Sequence, residues 1–323
     1  MSPDFNDIPA IALEWHRARK GAAIATVVQT WGSAPRAVGS MLVVSRDGDM
    51  QGSVSGGCVE GAVVVEAMEA LEDGTPRLLE FGVSDDEAFA VGLACGGTIK
   101  VLVDPVGHGM PLDLLTELVA ARAAKRSVAL TTDLKIWDRG LTYGPTGPWA
   151  DRFMSDKSGI EQDLFVGIHN PPLRMAIIGG VHIAQALVPM ARIAGFEPIV
   201  IDPREAFAHP DRFGDTPISN EWPDDALFAL KPDHRMAVVT LTHDPKLDDP
   251  AIEMALKTKC FYLGCLGSTR THAKRLDRLR ALGVGEANLA RINGPVGLDI
   301  GAKNPSEIAI SIMAEVISAL RQR

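Results

Sequence analysis

The stretch "LRMAIIGGVHIAQALVPMARIAGFEPIVIDPR" at Leu173–Arg204 decides the fold. It reads as an apolar strand, a glycine turn, a helix over 183–194 stopped at Gly195, and a second apolar strand ending at Asp202. A strand, a tight turn and a helix in that order form the opening of a doubly wound parallel sheet. "GGVHIA" at Gly179–Ala184 stands where a dinucleotide-binding turn carries G-x-G-x-x-G, and Asp202 follows 23 residues after Gly179 at the end of the next strand, which suits an acid that binds ribose. The second fingerprint position is Val181, although the missing side chain there is what admits a pyrophosphate. The pattern therefore predicts a Rossmann-like fold more firmly than it predicts a nucleotide.

Further strands are expected at "RMAVVTLTH" and "KCFYLGCLGS", with helices between them and a closing helix in "PSEIAISIMAEVISALRQR". Pro305 fits its first position, and Ile308, Ile312, Val316 and Leu320 form one apolar stripe that reads as core or subunit interface. "LTHD" at 241–244 and "LGSTRTHAKR" at 266–275 fall at strand ends, where open α/β sheets take ligands. Gly267, Ser268 and Arg270 offer a second anion position there, and His182, His243 and His272 match no zinc spacing.

Asn170-Pro171-Pro172 is the expected boundary. Upstream of it, residues 7–20 read as a helix, "AAIATVVQT" as a buried strand and "SMLVVSRDGDMQGSVS" as a hairpin turned on Asp47-Gly48. A helix over 59–71 is stopped by Asp73-Gly74, "GGTIKVLVDP" is a strand, 112–126 a helix, 138–158 an irregular excursion rich in Gly, Pro and Asp, and "LFVGIHNPP" closes the unit. The predicted class is α/β, with an N-terminal α/β domain over 1–170 followed by a C-terminal Rossmann-like, doubly wound parallel-sheet domain over 171–323.

Composition narrows the function. With 46% hydrophobic and 23% charged residues the chain is that of an ordinary globular protein, and its 323 residues are enough for two cores. A net charge of −9 and the lack of a basic block argue against nucleic acid. No apolar run approaches a membrane span or a leader, so a cytoplasmic protein is expected. Four cysteines with no C-x-x-C pair are expected as free thiols.

Two of those thiols sit among glycines. "GSVSGGCVEG" places Ser55, Gly56, Gly57 and Cys58 at the start of a helix, where unpaired N–H groups and the peptide dipoles favour an anion and a thiolate. "GLACGG" at 92–97 repeats the theme with Cys95, Gly96 and Gly97 just before a strand. "TWGSAPRAVGS" adds Ser33 and Arg36 in a rigid loop, and an arginine there can fork onto phosphate or carboxylate. The plainer reading makes each cysteine small packing, each glycine a turn and Arg36 a solvated loop residue.

Taken together, "GSAPR" (32–36), "SVSGGCVE" (53–60), "GLACGG" (92–97), "THD" (242–244), "LGS" (266–268) and "GLDIGAKNPSEIAISI" (297–312) make the whole chain resemble the XdhC/CoxI family, the accessory proteins of xanthine dehydrogenase and related molybdenum hydroxylases. The resemblance implies a protein, often dimeric, that binds molybdenum cofactor (molybdopterin) transiently, protects it while a cysteine desulfurase-type sulfurase installs its sulfido ligand, and delivers it to the apo-hydroxylase. Its two glycine-loop cysteines fall on Cys58 and Cys95, both candidates for contact with molybdenum, and its glycine turn on Gly179 and His182. The expected cofactor-binding set is therefore Ser33, Arg36, Ser55, Gly56, Gly57, Cys58, Glu60, Cys95, Gly96, Gly97, Gly179, His182 and Asp202, with no catalytic residue. An NAD(P)-dependent oxidoreductase built on the second domain is the alternative, which Val181 disfavours; a thiol enzyme with Cys58 and a histidine base is the third.

Overall fold

The computed structural model describes residues 7–32, 36–82 and 97–322. The chain forms two compact units, Met1–Pro171 and Pro172–Arg323.

The first unit is built on a five-stranded antiparallel sheet. Its strands are β1 (Ala23–Trp31), β2 (Met41–Val44), β3 (Met50–Gly52), β4 (Arg77–Phe81) and β5 (Thr98–Pro105), in the order β3-β2-β1-β5-β4. Side chains alternate across a strand, and here both faces are covered. Ala23, Ala25 and Val27 lie with Val63 and Ala67 of helix α2 (Glu60–Asp73), whereas Ile24 faces the layer that holds helices α1 (Ile8–Arg17) and α3 (Leu112–Ala123). The β2–β3 hairpin turns where expected: Gly48, at φ +80°, donates its N–H to Ser45 O at 3.2 Å. A side chain is strained at that φ. Helix α2 ends in Gly74, also left-handed, whose N–H reaches Ala70 O.

A second antiparallel sheet follows in the same unit, in the order β7-β6-β9-β8, with β6 at Val128–Asp133, β7 at Arg139–Tyr143, β8 at Gly159–Glu161 and β9 at Leu164–His169. This corrects the expected irregular excursion over 138–158, which contains β7 and the short helix α4 (Ala150–Ser155). Every residue of β7 is half-buried, so the alternation that marks a strand is missing from its sequence.

The second unit carries six parallel strands: β10 (Leu173–Ile178), β11 (Phe196–Ile201), β12 (Ile218–Ser219), β13 (Met236–Thr240), β14 (Tyr262–Cys265) and β15 (Ile292–Asn293). Their order is β12-β11-β10-β13-β14-β15, so the sheet winds outward both ways from β10 and reverses between β10 and β13. Helices α5 (His182–Ile193) and α11 (Pro305–Arg321) cover one face; α7 (Pro223–Leu230), α8 (Pro245–Leu256) and α9 (Thr269–Ala281) cover the other; α6 (Pro210–Phe213) and α10 (Glu286–Leu289) are single turns. Met175 and Ile177 of β10 pack to the first face, Ala176 and Ile178 to the second, and all four are fully buried. That two-sided burial is why the parallel strands read as unbroken apolar runs. The stripe Ile308, Ile312, Val316 and Leu320 joins the core on the α5 face.

Candidate functional site

The first cysteine loop closes around its own carboxylate. Glu60 is only 6% exposed, and its Oε1 accepts from Ser53 Oγ (2.7 Å) and the N–H groups of Val54 (3.2 Å), Ser55 (2.9 Å) and Gly56 (3.0 Å). Its Oε2 accepts from Gly57 N (2.8 Å) and from the Ser55 hydroxyl. The Ser55 oxygen in turn accepts from the N–H groups of Cys58 (3.0 Å) and Val59 (2.9 Å). Successive backbone donors of this kind form a concave anion seat. Burial pushes the Glu60 carboxyl upward, but the Ser55 and Ser53 hydroxyls and the Ser55 N–H outweigh it and hold the group down at about 2.

The chain's own Glu60 thus takes up the N–H groups of Ser55, Gly56 and Gly57, the residues expected to approach a cofactor anion. What the loop leaves available is Cys58, half-buried at the head of α2 and packed on one side against the apolar layer beneath that helix. Gly57, at φ +112°, has nothing among the described residues within 4 Å of the place a side chain would take.

Strands β1 and β3 both run antiparallel to β2 and so point the same way, β3 ending at Gly52 level with Ala25 and β1 running on to Trp31, where β5, antiparallel to β1, begins with Thr98. Of the three motifs, the described residues Gly32 and Gly97 adjoin the paired Trp31 and Thr98, and Ser53 follows the end of β3. Arg36 is exposed and Gly97 is half-buried beside the start of β5. Ser33, Cys95 and Gly96 lie outside the described residues.

In the second unit the glycine turn is covered by the chain itself. Asp202, fully buried, accepts from Gly180 N (2.9 Å) and Arg204 Nη2 (2.7 Å) at Oδ2, and from Arg204 N (3.0 Å) and Nε (2.8 Å) at Oδ1. Burial would raise its carboxyl; the hydrogen bonds from Arg204 and Gly180 hold it below the ordinary value. A Cβ on Gly180 would stand 2.3 Å from the Phe207 carbonyl oxygen, and one on Gly179 would stand 2.6 Å from Thr242 Cγ2. Arg212 donates to the carbonyls of both Gly180 and Phe207, while Arg204 lies 4.0 Å over the Phe207 ring. Asp202, expected as an acid that binds ribose, thus has both its oxygens engaged by Arg204 and Gly180. His182 opens α5 and is exposed.

Residues 175–316 match the model of the XdhC Rossmann domain, and residues 15–82 match that of the XdhC and CoxI family. The molybdenum cofactor insertion chaperone PaoD of Escherichia coli (strain K12) is 30% identical over 98% of this chain and 89% of its own length. The chain belongs to the XdhC and CoxI family. A probable xanthine dehydrogenase component of Bacillus subtilis (strain 168) is 28% identical, across 93% of this chain and 94% of that protein. A crystal structure described as a xanthine dehydrogenase from Bacillus halodurans superposes with a TM-score of 0.77 at 26% identity, covering 98% of this chain and 96% of that one.

The XdhC and CoxI motifs do not mark every polar group that the fold buries. Asp104 of β5 and Arg139 of β7 form a two-point ion pair at 2.8 Å and 2.8 Å with both side chains 3% exposed, tying the two sheets of the first unit together. Arg122 of α3 bridges Asp7 Oδ1 and His169 Nδ1, each at 3.1 Å. In the second unit Asp248 and Arg275 are buried near the end of β13. Arg275 donates to Leu266 O at 2.8 Å, whereas Arg270, the arginine expected to help an anion there, is exposed. Charged residues inside strands and helices without a glycine-rich neighbourhood gave no sequence signal of these pairs. Cys265 is fully buried and its thiol is pushed up to about 12 by burial, and Cys260 is buried too, so these two act as packing. Among the described residues no group of three or more His, Cys, Asp and Glu is arranged to hold a metal ion, and no helix is long and apolar enough to cross a membrane.

Proposed function

We propose that this chain binds molybdenum cofactor in the cytoplasm and delivers it to an apo-hydroxylase of the xanthine dehydrogenase type, working as a homodimer with a sulfurase that completes the cargo. The observation that carries the reading is the Cys58 thiol, half-buried at the head of α2 in the glycine-rich loop rather than sealed in hydrocarbon. A soft sulfur donor in a shielded, glycine-lined position suits the sulfur-rich metal end of that cargo. The donor set suits its phosphate less well, since Glu60 occupies the amide seat; Arg36, exposed after β1, is a cationic group that could answer it. Ser33, Cys95 and Gly96 complete the proposed set on the strength of the family motif.

Gly179, His182 and Asp202 are assigned a structural part in this reading. The strap of Arg204, Phe207 and Arg212 takes the space over the glycine turn, which supports a scaffold rather than an NAD(P) site. Titration with NADH and NADPH is expected to give no saturable binding up to the millimolar range; micromolar binding would favour the oxidoreductase.

Two measurements test the carrier role. Protein produced in a host that makes the cofactor, purified without oxygen and assayed for released pterin, is expected to carry it, and Cys58→Ala is expected to retain about tenfold less, a loss of about 1.4 kcal/mol. Wild-type protein free of pterin after such loading overturns the proposal. Co-purification with the hydroxylase and the sulfurase, and the mass in solution, read the partners and the dimer.

A further inference from the structure

Between the two sheets of the first unit lies a cavity of about 210 Å³, distinct from the cysteine loop. Its walls are mostly apolar, with Ile24, Met41, Leu102, Leu118, Leu130 and Phe165 on them. Polar residues interrupt those walls, among them the five Asp104, Arg122, Thr132, Ser158 and His169, with Thr26 as a sixth. None of these five belongs to a family motif, and the Asp104 and Thr132 side chains are almost wholly withdrawn from solvent. Filled to the density of a protein interior, such a space holds on the order of ten non-hydrogen atoms; an apolar cavity of about 150 Å³ takes a single benzene ring.

The charges around it cancel. Arg139 neutralises Asp104, Asp7 neutralises Arg122, and His169 is uncharged because burial first, and the adjacent Arg122 second, hold its ring at about 3. An anion or cation entering this space would lose its hydration with no opposite charge left to meet it. A neutral guest with polar edges is matched instead. Each Asp104 oxygen accepts one hydrogen bond from Arg139, at 2.8 Å, and keeps a second lone pair that can accept from a guest. The His169 ring accepts at Nδ1 from Arg122 Nη1, so its proton sits on Nε2 and that nitrogen donates. The Ser158 oxygen accepts from Ile168 N at 2.9 Å, which frees its own O–H to donate.

We infer that this cavity binds a neutral, flat, two-ring heterocycle whose pyrimidine half carries N–H donors beside a carbonyl acceptor, with the N–H edge toward Asp104 and the carbonyl toward the donors on Arg122, Ser158 and His169. Two sources supply that chemistry: the pterin end of the proposed cargo, in which case the inference rests on the carrier reading, and a free oxopurine, in which case the unit senses a small metabolite.

The test uses the full chain and two uncharged probes, pterin followed by its fluorescence and hypoxanthine followed by calorimetry. Thr26 also lines the cavity. Binding of either probe is expected to be saturable and to weaken at least about tenfold in Thr26→Met, which pushes a longer side chain into that space. Ser158→Ala, which removes one donor and little volume, is expected to weaken binding by several-fold with the fold intact by melting. Pterin binding alone assigns the site to the cargo; hypoxanthine binding alone assigns it to a free purine; both support the shared chemistry. Absence of binding by both probes at millimolar concentration, or binding undiminished in both Thr26→Met and Ser158→Ala, overturns the inference. Cofactor retention that depends on Cys58 but not on Thr26 would overturn it while leaving the carrier proposal standing.

Discussion

Glu60→Ala is expected to destabilise the first unit by about 3 kcal/mol and to lower its melting temperature by about 6–12 °C. The substitution strands four backbone N–H groups and two hydroxyls that now converge on one carboxylate. A typical hydrogen bond contributes about 1 kcal/mol and one to a charged group rather more, but Gly56 and Gly57 are exposed, so water recovers part of the loss. Glu60→Gln keeps one acceptor oxygen and sets an amide N–H₂ against donors, so about half the effect is expected. The same carboxylate gives the wild type a pH signature. Its folded value, about 2, lies below the ordinary 4.5, so its contribution is complete above about pH 4.5 and is lost as the pH falls toward 2. Denaturant unfolding at pH 7 and at pH 3 is expected to differ by about 2 kcal/mol from this group, a difference missing in Glu60→Ala; an unchanged melting temperature in that variant would mean the seat is not formed. If inorganic phosphate stabilises Glu60→Ala and not the wild type, the seat is an anion site that the native chain keeps for itself.

Arg139→Met is expected to cost about 3–5 kcal/mol, the larger figure if Asp104 stays ionised. Burial pushes the Asp104 carboxyl up to about 6 even with the Arg139 guanidinium pulling it the other way. Removing that guanidinium leaves a carboxyl 2% exposed with its closest counter-charge gone. Because the folded value lies above the unfolded one, the neutral acid is what the folded state prefers: stability from this group is present below about pH 4 and falls as the pH rises through the folded value. The deficit of Arg139→Met is therefore expected to be smaller at pH 5 than at pH 8, read by urea unfolding. The double substitution Asp104→Leu with Arg139→Met is expected to recover most of the loss, since an apolar pair of similar bulk carries no desolvation cost. A deficit that persists undiminished in the double variant would show that the pair works by shape rather than charge.

The second unit was legible because a parallel sheet buried on both faces writes itself as short apolar runs, and because Gly179 and Asp202 punctuate the first of them. The four-stranded sheet of the first unit was not, since β7 is half-buried throughout and β6 meets the cavity through Thr132. The cysteine loop was legible as a feature, from its glycines, while the partner of its donors was not. An acid in the first turn of a helix ordinarily answers the dipole in solvent, and nothing in the order of residues says that Glu60 folds back over the four residues before Cys58. The partners of Asp202 were hidden for a related reason. An acid at the end of the second strand of such a fold fits a ribose equally well as a side chain two positions away, and the return of Phe207 over Gly180 is a tertiary event with no periodic trace.

That returning strap has a thermodynamic corollary. A fold that holds a dinucleotide over its central turn gains stability in proportion to the logarithm of ligand concentration, and softens whenever the ligand is scarce. Here the chain supplies its own occupant, at an effective concentration that never varies. The parallel-sheet unit is accordingly expected to unfold at one temperature whatever the concentration of nucleotide around it.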